Sequence, residues 1–145
     1  MNKSGKNLKE ASILVLIFAA LSLVRIIFQF FVVGFDIDPA QAGTTPAFVQ
    51  VMTIIIFVIS LCLLLPELYV GLKGLKVAKK PNSDKGHIVW AIILLVFAAF
   101  GVLSSISGIA ETVNVDSITA LVDHILDVIV YCMFIKYANQ VLKGV

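Results

Sequence analysis

Asp123, His124 and Asp127 stand close together near the C-terminal end of the chain, and the only arginine, Arg25, stands inside a long apolar stretch near the other end. A guanidinium presents a rigid fork of donors that can bridge carboxylate oxygens. These residue types therefore suit an ion pair, a site for a proton or cation, or both. Arg25 contributes +1, and Asp123 and Asp127 contribute −2. With His124 neutral, the sum of −1 calls for compensation by a proton, a bound cation, or water reaching Asp123. The oxygen and imidazole donors could also ligate a metal, but no fourth ligand stands at a usable spacing. Neither a metal nor a cofactor is expected.

The surroundings make these groups conspicuous. Of the 145 residues, 60% are hydrophobic and 14% charged, against roughly 45–50% and 25% in a soluble domain; mean hydropathy is +1.05. So small a body has too little interior to hide that much apolar side chain, which excludes a water-soluble globule. A net charge of +2 is no electrostatic footprint for nucleic acid. Cys62 and Cys132 stand alone in apolar runs, without CxxC or Cys/His spacing, and read as small apolar fillers.

An all-α integral membrane four-helix bundle remains. Four stretches, about 11–35, 48–72, 88–110 and 117–135, meet the length of about 20 mostly apolar residues that a span requires. The connections between them are too short for a folded domain, so 1–145 reads as one bundle with no soluble catalytic part. The N-terminal apolar run outlasts a signal-peptide core and lacks a small-x-small cleavage site, so it reads as a span.

Every lysine falls on one side of this layout: Lys3, Lys6 and Lys9, then Lys73, Lys76, Lys79, Lys80 and Lys85, then Lys136 and Lys143. The opposite connections carry only Asp36, Asp38, Glu111 and Asp116. The positive-inside rule then puts both termini in the cytoplasm. Lysine in place of arginine and terse loops point to a bacterial cell (cytoplasmic) membrane. Pro66 is expected to kink or restart the second helix, leaving Glu67 near the interface. Beyond it, Leu68, Leu72 and Leu75 interleave with lysines as a short helical extension with a basic face, read first as the ordinary flank of two spans.

Arg25 lies about 15 Å below the outer boundary at 1.5 Å per residue, and Asp127 enters to the same depth from the same side. At 100° per residue, Asp116, Ala120, Asp123, His124, Asp127 and Tyr131 share an arc of about 100°, and Ser22, Arg25 and Gln29 one of about 60°. The two faces are expected to meet, with Arg25 bridging Asp127 and Gln29 beside it. Such a pair serves equally well as a structural register. Gly101, Ser105 and Gly108 on the third span read as close helix packing. Polar residues keep to the outer half, which suggests a pocket open to the outside above an apolar plug.

Several function classes drop out. The chain has no cysteine pair for a four-span oxidoreductase, no His-Glu-x-x-His run, and no arginine series for voltage sensing. It is expected not to be an enzyme but a non-enzymatic accessory, immunity or ligand-binding component. Its partners are then the lipid bilayer and another membrane protein or a second copy. The alternative is a small proton- or cation-coupled transporter, with Asp123, His124 and Asp127 titrating and Arg25 as counter-charge.

Overall fold

The computed structural model describes residues 3–28, 30–31, 45–80, 84–111 and 115–144, apart from the side chains of Glu111 and Asp116. These residues form four helices: α1 Lys3–Phe28, α2 Pro46–Lys79, α3 Gly86–Glu111 and α4 Val115–Lys143. Each is long and apolar enough to cross a membrane.

Short polar signals set the helix ends. At α2 the Thr45 hydroxyl accepts the Phe48 N–H at 3.3 Å, and Pro46 occupies the first helical position, where its missing N–H is no loss. Ahead of α3, Asp84 Oδ1 accepts the Gly86 N–H at 2.8 Å, a local turn typical of aspartate. Past α4, Gly144 adopts φ +70° and its N–H reaches the Val141 carbonyl at 3.2 Å, a left-handed stop that glycine adopts without strain. Inside the helices, Ser12 donates to the Leu8 carbonyl at 2.7 Å and Ser60 to that of Ile56 at 2.8 Å. Ser107 and Thr119 bond back one turn in the same way, which satisfies hydroxyls where no water is at hand.

The helices continue past the apolar runs towards the lysine-bearing ends: α1 starts at residue 3, α4 ends at 143, and α2 ends at 79, as the expected basic extension requires. Hydropathy marks only what lies in hydrocarbon, whereas lysine, leucine and alanine are good helix formers and carry the backbone on into the interface. Helix α2 does not restart at Pro66, which lies inside it. A membrane helix tolerates proline because neighbouring groups re-satisfy the freed carbonyl. With 34 residues, α2 is about 51 Å long, well beyond a hydrocarbon core of about 30 Å.

The chain divides into two compact units, Met1–Phe18 with Pro66–Val145, and Ala19–Leu65. In the first, α3 and α4 pack along each other. The core joins Leu8 and Val15 of α1, Val70 and Val77 of α2, Ala91 of α3, and Phe134 and Ala138 of α4. Glycines allow the closest approaches. A Cβ at Gly74 would fall 2.5 and 2.9 Å from two Phe134 ring carbons and against the Ser12 hydroxyl; one at Gly71 would fall 2.6 Å from the Leu16 side chain. On the outside of this unit, Phe97, Phe100 and Leu103 are each more than 60% exposed. In water that would be an untenable apolar patch; against acyl chains it is ordinary.

His87 is fully buried in the same unit, edge-on to Phe134 with ring centroids 6.0 Å apart. Neither of its ring nitrogens has a hydrogen-bond partner. An unsatisfied buried polar group costs about 1–3 kcal/mol. His87→Leu is therefore expected to raise the unfolding midpoint in detergent, and a lowered midpoint would show that the imidazole is needed.

The second unit is held at one end by rings. Phe30 stacks on Phe57 at 4.1 Å, and Phe31 lies edge-on to both at 4.9 and 6.2 Å. Ala19 and Leu64 are buried there, while Ile54, Ile55, Val58 and Ile59 are exposed.

Candidate functional site

Helix α4 sets Asp123, His124, Asp127 and Tyr131 at three- and four-residue spacings, so that they line one side of it. His124 sits directly on the backbone of α3: a Cβ at Gly101 would fall 2.7 Å from its Cε1 and Nδ1. Only glycine leaves room for an imidazole at that distance.

Helix α2 contributes the group that completes the site. Tyr131, buried in the core, stands within electrostatic reach of the Glu67 carboxylate. Asp127 lies near enough for the two carboxyl charges to act on each other. Asp127 is also within electrostatic reach of His124 and Asp123. Glu67, Asp123, His124 and Asp127 are all half-buried. Two acids from different helices, with a phenol and an imidazole within their electrostatic reach, thus belong to the unit that includes 66–145.

Of the other residues singled out above, Arg25 belongs to the unit of Ala19–Leu65, and its side chain is exposed on α1. Gln29 lies outside the described residues. Ser105 is half-buried one turn beyond Gly101. At Gly108 a Cβ would meet nothing within 4 Å. Cys62 and Cys132 are free thiols on exposed positions. Among the described residues, no group of three or more His, Cys, Asp and Glu is arranged to hold a metal.

Comparison with protein-family models, curated proteins and solved structures gave no match. The residues themselves carry the reading.

Depth arithmetic had put Glu67 at the interface and so overlooked it. The signal that finds it is the face it shares: Glu67, Gly71, Gly74 and Ala78 recur at intervals of three and four residues, a stripe of small side chains headed by an acid, which marks the inward side of α2. Tyr131 lay on the acidic arc already, but a helical wheel does not say which neighbour its hydroxyl meets. Tyr131→Phe removes the hydroxyl alone. It is expected to lower the denaturant midpoint by no more than the equivalent of about 0.6 kcal/mol, the mean for a hydrogen bond between membrane helices.

Proposed function

We propose that the chain is a small, non-enzymatic, multi-pass membrane protein that binds a proton or a monovalent cation at Glu67 and Asp127. The observation that carries this reading is the convergence of the two carboxyls from α2 and α4 beside a buried tyrosine. A charged side chain inside a span costs roughly 2.5–3.5 kcal/mol on insertion scales, and a like charge beside it adds to that. A proton or small cation held by the pair offsets both. Its other partners, on this reading, are the lipid bilayer and another membrane protein or a second copy of the chain.

The test is an infrared pH titration of the protein in vesicles, joined to proton release in weak buffer on addition of sodium or potassium chloride. The C=O stretch of a protonated carboxyl should diminish in Glu67→Gln and in Asp127→Asn and be lost in the double variant. Release of protons on adding salt marks a cation that exchanges with the proton; a titrating band without release marks a proton site. A double variant that titrates like the natural protein would overturn the reading.

A second reading, proton- or cation-coupled transport, draws on His124, an imidazole against the α3 backbone at Gly101 and within electrostatic reach of Asp127. It requires Asp127→Asn to abolish pH-linked flux in reconstituted vesicles while folded yield is preserved.

The same proposal places both termini and the connection after α2 in the cytoplasm of a bacterial cell membrane, because the lysines gather at those ends. In a Cys62→Ser/Cys132→Ser background, Lys80→Cys is expected to react with an impermeant maleimide only after permeabilisation. Labelling in intact cells would reverse the orientation.

A further inference from the structure

A second polar feature lies where α2 runs on past its apolar part. A cavity of about 610 Å³ is lined by Tyr69, Leu72, Lys73, Leu75, Lys76 and Lys79. At 100° per residue these side chains occupy an arc of about 160° on α2, in the angular order Lys73, Tyr69, Lys76, Leu72, Lys79, Leu75. Ammonium groups and apolar groups thus alternate across the groove. A solvated basic face needs no such interleaving.

The wall nearest α3 is fixed. Lys73 Nζ lies 2.7 Å from Asp84 Oδ2, and Asp84 Oδ1 is tied to the first N–H of α3. The Lys73 ammonium and that N–H hold the Asp84 carboxyl below the usual carboxylate range. Its contribution is therefore present at neutral pH and lost only as acid carries the pH down through that lowered value. The Tyr69 hydroxyl closes the same side, 3.0 Å from where a Cβ on Gly86 would stand. Among the described residues no carboxylate pairs with Lys76 or Lys79, and both are exposed.

We infer that this groove seats the phosphate-bearing headgroup of an anionic phospholipid, with Lys76 and Lys79 on the phosphate and Leu72 and Leu75 against the first methylenes of an acyl chain. The volume is far larger than an inorganic phosphate fills, and half of the lining is apolar, as an amphiphile requires and a free ion does not. The position also fits, because α2, with 34 residues, is longer than a hydrocarbon core requires, so that the lysines fall in the surplus at its end. Basic clusters of this kind attract anionic lipid with about 1 kcal/mol per lysine.

The test uses the full-length protein, stripped of lipid in a neutral detergent and studied by native mass spectrometry with dioleoyl phosphatidylglycerol or dioleoyl phosphatidylcholine. Phosphatidylglycerol should be retained preferentially. K76Q/K79Q should weaken its binding about 30-fold, the equivalent of about 2 kcal/mol for two lysines. K76R/K79R, which keeps both charges, should retain it. K6Q/K9Q removes the same charge from α1 outside the groove and should leave binding near that of the natural protein. Equal retention of the two lipids, or equal loss in K6Q/K9Q, would reduce the effect to general positive charge and overturn the site. Displacement of phosphatidylglycerol by inorganic phosphate alone would overturn the lipid assignment in favour of a free anion.

Discussion

Gly74→Val is expected to remove most of the folded protein from the membrane fraction and to drop the unfolding midpoint of what remains. The added side chain would start 2.5 Å from Phe134 Cε2 and 2.9 Å from Cζ, and against the Ser12 hydroxyl. Neither neighbour can retreat. Phe134 and Ser12 are both fully buried, and the Ser12 hydroxyl is fastened to the Leu8 carbonyl. Overpacking commonly costs about 1–3 kcal/mol, and a contact shared by α1, α2 and α4 lies at or above the top of that range. The membrane removes the usual compensation, because lipid tails are as apolar as leucine and helices associate through close packing. Gly108→Ala is the internal control. Nothing lies within 4 Å of its added methyl, and alanine is a better helix former than glycine by about 0.8–1.0 kcal/mol, so its midpoint should hold or rise. Equal tolerance of the two substitutions would refute the packing described around Phe134.

Glu67→Gln and Asp127→Asn carry the other large expectation, on binding rather than on folding. If both carboxyls hold one cation, each single change should weaken it by about 1.5–3 kcal/mol, the range for a bond to a charged group, which is about 10- to 150-fold. The double variant should lose less than the sum, as for residues that act as a unit. Stability should move the other way. At a pH high enough to ionise both acids and with no cation present, neutralising one of them removes a like-charge repulsion, so each single variant should unfold at the same or a higher denaturant concentration. Loss of folded yield in both singles would make the acids structural anchors instead.

The lengths and apolar content of four stretches made the helices legible, and the acids of α4 were legible as one face. The basic extension of α2 was legible as well, but the N-terminal end of α1 and the C-terminal end of α4 were not, because hydropathy stops at the hydrocarbon edge while both helices run on through lysine, leucine and alanine. Glu67 was hidden for a related reason. Counting residues down from the outer end of α2 gives a depth, whereas the stripe of Gly71, Gly74 and Ala78 gives a direction, and direction decides what a side chain meets. Gly101 was readable as a place of close approach. That the approaching group is the His124 imidazole was not, since a wheel describes one helix and leaves its neighbour unnamed. His87 shows the same limit: it stands just ahead of the third apolar stretch, and nothing in that position tells that it is fully buried against Phe134.

Because α2 passes through Pro66 without a break, Glu67 and the Lys76 to Lys79 row ride on one rod, the nearer lysine about 14 Å along the axis from the acid. Twisting that rod by any angle sweeps acid and lysines together. If the lysines hold a phosphate and the carboxyls a cation, as proposed above, both ligands act on one helix, and any effect of one on the affinity of the other is reciprocal.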